Sequence, residues 1–272
     1  TDLDMIPYGR QNISCADVEA VVEVLRSDFL TQGPMVPRFE ETLARKVDAP
    51  EAVAFSSATA ALHIACLALG LGPADRLWTV PNTFVASANC GLYCGAIVDF
   101  VDIDPKTRNM DVEALATKLE AAEREGTLPK IVVPVDFAGT SADLASIRRL
   151  ADRYDFRILE DASHAVGGYY QKRPVGSSEL ADVTVFSFHP VKIVTTGEGG
   201  AATTRSAEIA HRMRLLRNHG ISRDPADMTA ASEGPWYYEQ VMLGYNYRMT
   251  DIQAALGVRQ FDRLAEFIAR RQ

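Results

Sequence analysis

The chain has 272 residues, 47% of them hydrophobic, enough to bury a large core in one big domain or in one domain with part of another. Its 28 basic and 36 acidic side chains leave a net charge of -8, the wrong sign for an electrostatic grip on phosphate backbones or anionic bilayers, so neither nucleic acid nor membrane is an expected partner. Four cysteines, Cys15, Cys66, Cys90 and Cys94, stand in apolar surroundings without a C-x-x-C pair, and read as reduced packing residues of a cytoplasmic protein rather than as a zinc site.

The opening TDLDMIPYGRQ has neither the basic start nor the apolar stretch of a secretory signal. Residues 16 to 47 supply two helical patterns flanking LTQGP. AVAF at 52 to 55 then predicts a short strand leading into a helix from about Thr59 to Leu69, and the polar Ser56, Ser57, Thr59 and His63 interrupt this apolar region too often for a membrane span. RLWTV at 76 to 80 leads into a helix from about Val85 to Tyr93, and AIVDFVDI at 96 to 103 precedes the amphipathic DVEALATKLEAAERE. KIVVPVDF at 130 to 137 precedes SADLASIRRLADRY, and FRILED at 156 to 161 follows. DVTVFSF at 182 to 188 and GGAATT at 199 to 204 are joined by a segment that carries Lys192. Helical patterns run from about Ser206 to Asn218 and from Thr250, whose spacing to Gln253 is that of a capping box. The last residues, FIARRQ, fall inside an amphipathic pattern without a stop signal, which predicts a chain cut within a longer helix.

Strand and helix alternate so regularly that the pattern predicts an α/β fold, a mainly parallel sheet between two layers of helices. The strands are continuous apolar runs, as sheets covered on both faces require. Ligands of such sheets bind outside the carboxyl ends of the strands. Five polar clusters fall at those ends: SSAT, PNTF, DFAG, EDASHA and SFHPVK.

Small residues in SSATAALH leave the amides of a first helical turn open, which serves a plain helix cap or a phosphate. The spacing is not that of a P-loop. Asp161 closes a buried strand, where a carboxylate either caps a neighbouring helix or faces a cation such as a ring nitrogen. Lys192 follows the next apolar strand, where desolvation lowers an amine's pKa and makes it a nucleophile toward an aldehyde. Phosphate cradle, carboxylate and lysine are together the groups that pyridoxal 5'-phosphate needs.

In their order along the chain, TQGPMVPRFEE, SSATAALH, PNTFVAS, EDASHAVGG, SFHPVKIVTTGEGGA and GYNYRMTDIQAALG resemble the sugar aminotransferases of the DegT/DnrJ/EryC1/StrS family, from about Ile6 onward. PYGRQ, PVDFAG and SFHPVK-x-x-TTGEGG look closest to the branch that aminates UDP-4-keto-6-deoxy-N-acetylhexosamine in pseudaminic acid synthesis. The resemblance implies the pyridoxal-phosphate transferase fold of type I: a large cofactor-binding domain over residues 1–250 with a mainly parallel seven-stranded sheet. Residues 251–272 would then begin the helix toward a smaller carboxyl-terminal domain that is largely missing.

It further implies that Lys192 forms the Schiff base with the cofactor and moves the proton at the substrate carbon, that Asp161 pairs with the pyridine nitrogen, and that His164 lies near the ring's phenolic oxygen. Phe84 would stack on the ring, while Ala58, Thr59 and Ser187 would hold the phosphate. Asn246, otherwise a turn residue, would reach the phosphate of the neighbouring subunit, giving a homodimer with shared active sites. The substrates implied are a nucleotide-linked keto sugar and an amino acid donor, by family analogy L-glutamate. His189, His219 and Arg248 read first as packing, turn or ion-pair residues. Lys192 argues against a sugar dehydratase, in which histidine replaces that lysine. A noncatalytic or regulatory homologue would have no need of the nucleophile.

Overall fold

The structure, a computed structural model, describes residues 9–230 and 232–271, so Ile6, Pro7 and Tyr8, where the resemblance begins, lie outside the described residues. Two helices come first, α1 (Cys15–Leu25) and α2 (Met35–Val47), and then strand and helix alternate. The series runs β1 (Glu51–Phe55), α3 (Ala58–Ala68), β2 (Arg76–Thr79), α4 (Ala86–Tyr93), β3 (Ile97–Phe100), α5 (Val112–Glu125), β4 (Ile131–Val132), α6 (Leu144–Tyr154) and β5 (Arg157–Asp161). A short hairpin, β6 (Tyr169–Tyr170) and β7 (Arg173–Pro174), precedes β8 (Val183–Ser187), β9 (Gly200–Thr204) and α7 (Ala207–Arg217). A second short pair, β10 (Ile221–Ser222) and β11 (Glu239–Gln240), leads to α8 (Asp251–Asp262) and α9 (Leu264–Ala269).

Seven strands form one sheet in the order β1-β9-β8-β5-β4-β2-β3. The pairings from β8 through β5, β4 and β2 to β3 are parallel, and only β9 runs antiparallel to its neighbours. This is the mainly parallel, helix-covered sheet that the alternation predicts. Side chains alternate across a strand, and one face packs Val53, Phe55, Leu159, Val183 and Val185 against α3 and α7. The other face receives α2 and α8 over Ala54, Phe186 and Ala201, and α5 and α6 over Val132 and Ile158. Phe39, Phe188 and Phe261 meet there with ring centroids 5.2 to 5.8 Å apart, an arrangement worth about 0.5–1.5 kcal/mol per pair beyond burial.

Three expectations change in detail. KIVVPVDF supplies only two ladder residues to β4, because Pro134 has no N–H to donate. The extended chain still continues, with Val133 N donating to Trp78 O at 2.7 Å and Asp161 N to Pro134 O at 2.9 Å. Edge strand β3 leaves Ile97 and Phe100 exposed, against the expectation of strands covered on both faces. The helix from Thr250 has its capping box with Gln253, but it breaks at Arg263 into α8 and α9.

Candidate active site

At the carboxyl end of β1 the chain turns directly into α3. Ser57 caps that helix: its Oγ accepts from Ala60 N at 3.1 Å, and its carbonyl accepts from Ala61 N at 3.0 Å. Of the four amides a first turn leaves open, those of Ala58 and Thr59 retain no partner among the described residues. Gly200 lies directly across from both Phe55 and Ser187 in the sheet. A Cβ at Gly200 would sit 2.4 Å from Ala58 N, so the missing side chain lets β9 pass under the helix start with Ser187 on the next strand. Two open amides, a helix N-terminus and a serine hydroxyl thus share one face, a cradle suited to phosphate.

Asp161 pairs in register with Val185, two residues before Ser187, so both side chains point to that same face. Asp161 is 5% exposed. Ser87 Oγ, from the first turn of α4, donates to its Oδ2 at 2.6 Å, while Ser163 donates to Oδ1 through Oγ at 2.6 Å and through its amide at 3.2 Å. Thr83 Oγ1 lies 2.7 Å from Ser87 Oγ and extends the chain of hydroxyls. No cation forms an ion pair with Asp161 among the described residues, so its charge is solvated by neutral donors alone. The preceding residue, Glu160, points to the opposite face, where Thr184 Oγ1 donates to it at 2.6 Å. There burial and the nearby Glu160 push the Asp136 carboxyl well above the usual carboxylate range.

Lys192 is half-buried in the loop between β8 and β9. Its amide donates to His189 O at 2.9 Å, and Thr195 Oγ1 and Thr196 N both close the loop on Phe188 O. Among the described residues its Nζ has neither a hydrogen bond nor an ion pair. Burial holds the Lys192 amine below its ordinary value against a smaller upward pull from Asp161. His164 is lowered too, by removal of water and then by Lys192, with Asp161 again opposing. The three groups therefore share one electrostatic neighbourhood, although two segments of the chain supply them.

Phe84 stands at the entry to α4 with 74% of its surface exposed. Asn246 is exposed and forms a bridge with Asn218, and the carbonyl of Tyr247 beside it accepts from Ser56 N at 2.8 Å, next to the start of α3. His189 accepts weakly from Val191 N at 3.4 Å, His219 takes a left-handed turn conformation at φ 60°, and Arg248 donates to Asn218 Oδ1 at 2.7 Å. Backbone and turn features thus engage the two histidines, and a side-chain contact engages Arg248.

The residues present fit pyridoxal 5'-phosphate: open amides and Ser187 for its phosphate, the cation-free Asp161 for a protonated ring nitrogen, and an unpaired amine of lowered pKa for its aldehyde. Sequence reasoning missed Ser87, Ser163 and Thr83. Ser163 was discoverable, since an Asp commonly bonds the backbone two residues on. Ser87 was not, because its contact with Asp161 spans 74 residues.

The sequence profile of the DegT/DnrJ/EryC1/StrS aminotransferase family matches residues 11–272. The UDP-4-amino-4,6-dideoxy-N-acetyl-beta-L-altrosamine transaminase of Campylobacter jejuni subsp. jejuni serotype O:23/36 is 38% identical over 98% of this chain and 67% of its own length. Helicobacter pylori PseC, an aminotransferase involved in the biosynthesis of pseudoaminic acid, superposes with a TM-score of 0.84 at 33% identity over 96% of this chain and 66% of its own. The PLP-form of the putative sugar aminotransferase Spr1654 from Streptococcus pneumoniae gives 0.83 at 31% identity, over 96% of this chain and 67% of its own. The chain thus spans about two thirds of the length of the relatives it matches.

Proposed function

The chain belongs to the DegT/DnrJ/EryC1/StrS aminotransferase family, whose cofactor is pyridoxal 5'-phosphate, and from that footing we propose that it transfers an amino group to the 4-keto carbon of a nucleotide-linked 6-deoxy sugar. The acceptor in this reading is a UDP-4-keto-6-deoxy-N-acetylhexosamine, the class suggested by the names of the Campylobacter and Helicobacter relatives. The amino donor is L-glutamate. The setting is the cytoplasm; among the described residues no helix is long and apolar enough to cross a membrane.

The observation that carries this reading is the unpaired, half-buried Lys192 amine beside a buried Asp161 that lacks a cation. When bound, the cofactor supplies an aldehyde and an electron sink for the substrate carbon. Lys192 Nζ, kept neutral more readily by burial, would be the nucleophile that holds such an aldehyde and the base that moves the proton at the substrate carbon. Asp161, oriented by Ser87 and Ser163, would hold a cationic ring nitrogen. His164 has its pKa lowered, favours the neutral imidazole and serves the phenolic oxygen by hydrogen bonding. The Ala58 and Thr59 amides, the Thr59 hydroxyl and Ser187 would hold the phosphate, and Phe84 would cover the ring.

The protein works as a homodimer in which Asn246 reaches the partner's phosphate. Exposed apolar side chains support that assembly: Phe84, Val85, Leu92 and Tyr93 on and beside α4, with Trp236 and Leu243 farther along.

The test is a visible spectrum of the purified chain with pyridoxal phosphate, followed by borohydride reduction, peptide mapping and assay with UDP-linked keto sugars. A reduced adduct on Lys192 and glutamate-dependent amination support the proposal. An adduct without amination of any keto sugar would leave a noncatalytic cofactor-binding homologue.

A further inference from the structure

A cavity of about 310 Å³ lies where residues 10–12, the loop after β8, and α8 and α9 meet. Arg10, Lys192, Arg270 and Arg271 line it, with neutral residues such as Gln11 and Thr195 between them. No carboxylate lines it among the described residues, although the whole chain carries a net charge of -8. Like charges gathered on a concave surface repel one another unless an anion joins them.

Local contacts hold this wall in place. A Cβ at Gly9 would meet Val191 Cβ at 3.4 Å, so the chain leading to Arg10 runs close against the Lys192 loop. Gln260 Nε2 donates to Asn12 O at 2.9 Å, and Arg263 donates to Asn12 Oδ1 and, at 3.3 Å, to the buried Asp17. The charge of Arg263 is therefore answered within the fold. The three arginines of the cavity are not matched in this way. Arg271 Nη2 donates to the carbonyl of Lys192 at 3.1 Å, which joins the end of α9 to the lysine loop and leaves its other donors open among the described residues. Arg270 lies 4.0 Å from the exposed Glu266, which does not line the cavity. Arg10 has neither a hydrogen bond nor an ion pair among the described residues.

We propose that this cavity binds the diphosphate of the nucleotide-linked sugar, with Arg10 and Arg270 as its ligands and Arg271 joining it to the Lys192 loop. The inference rests on the nucleotide-sugar reading of the same site. A guanidinium group offers its N–H donors in a fork that matches the oxygens of phosphate or carboxylate. Charge decides between those anions: one carboxylate of an amino donor would leave two guanidinium groups unmatched, whereas a diphosphate diester brings two negative charges and several free oxygens. The volume sits at the lower end of the range for small-molecule sites, about 300–1,000 Å³, which suits a diphosphate without its nucleoside. Connectivity agrees. The diphosphate is attached at C1 of the sugar and the keto carbon is C4, the opposite corner of the pyranose ring. An anion held in a cavity that Lys192 lines therefore keeps C4 within one ring's width of the lysine loop.

Calorimetric titration of the cofactor-loaded chain with UDP, uridine, inorganic pyrophosphate and L-glutamate tests the assignment. UDP and pyrophosphate should bind, uridine at least about tenfold more weakly than UDP, and the UDP affinity should fall as sodium chloride is raised. Arg10→Gln and Arg270→Gln, both at exposed positions and so without consequence for the core, should each weaken UDP and pyrophosphate about tenfold and L-glutamate by less than about twofold. Arg10→Lys keeps the charge but loses the fork, and should fall between wild type and Arg10→Gln. UDP and pyrophosphate affinities unchanged in both glutamine variants overturn the site. A loss confined to L-glutamate assigns the cavity to the amino donor's carboxylate and overturns it as well. Failure of the underlying reading has a different pattern: pyrophosphate still loses affinity in the variants, while UDP binds no better than uridine, which overturns the nucleotide sugar as occupant and leaves an anion site.

Discussion

Ser87 Oγ donates to Asp161 Oδ2 at 2.6 Å, joining the first turn of α4 to the end of β5 at the centre of the site. Both residues are buried, so neither has ready water as a substitute partner. The contact explains how an acidic side chain can end an apolar strand without a cation of its own: the hydroxyl supplies part of the solvation that a cationic ring would complete.

Removing that donor should therefore be felt twice. A hydrogen bond to a charged group contributes about 1.5–3 kcal/mol. Ser87→Ala should lower the Tm of the cofactor-free chain by several degrees and weaken cofactor binding about tenfold. Ser163→Ala should cost less, since the Ser163 amide still donates to Oδ1 at 3.2 Å. Thermal melts and cofactor titrations of the two variants check the order; equal effects would mean that Ser87 does not position Asp161.

The cradle at the start of α3 depends on an absent side chain. A methyl at Gly200 would meet Ala58 N at 2.4 Å and the Ser57 carbonyl oxygen at 2.5 Å, so the helix start must move. Overpacking of this kind costs about 1–3 kcal/mol, and here it falls on the two open amides. Gly200→Ala should reduce cofactor affinity by more than about tenfold while the far-ultraviolet circular dichroism stays native. Isothermal titration with pyridoxal phosphate measures it, and unchanged affinity would remove Ala58 and Thr59 from the phosphate site.

The sheet, its parallel character and the strand ends that carry the candidate site were legible because apolar runs and polar clusters are local signals. Asp161, Lys192 and the turn at Ser57 likewise stand where strand ends place them. The reversed direction of β9 was not legible: GGAATT carries no mark of orientation, and only its pairing with Val185 and Ala54 reveals it. The break at Arg263 escaped a periodicity that continues across it, and the hairpins β6–β7 and β10–β11 are too short to show a period.

Burial of Lys192 makes a prediction about pH. Its amine titrates below its ordinary value in the folded chain, so between the two values the unfolded chain binds more protons and stability rises with pH. Below the folded value the full cost of a half-buried ammonium remains. Lys192→Met should therefore raise the Tm of the cofactor-free chain at neutral pH, by a few degrees at most, and the gain should shrink as pH approaches about 10. Melts of both proteins from pH 6 to 10 give the answer. A difference that does not change with pH would indicate that packing of the methionine, not the charge, is responsible.

The shared site is the prediction with the sharpest alternatives. Asn246 is exposed, yet its neighbour Tyr247 is bound to Ser56 beside the same subunit's α3, so the segment adjoins a phosphate cradle of its own chain. If Asn246 serves the partner, the Lys192→Ala and Asn246→Ala subunits complement each other. Each mixed dimer then has one site with an intact lysine from one chain and an intact asparagine from the other, beside one site lacking both. Random reassortment of equal amounts should restore about one quarter of the wild-type activity in a symmetric dimer, measured at a cofactor concentration that leaves Asn246→Ala mostly empty. Borohydride trapping on Lys192 provides a readout independent of turnover. If Asn246 serves its own chain, every site keeps one lesion and mixing restores nothing.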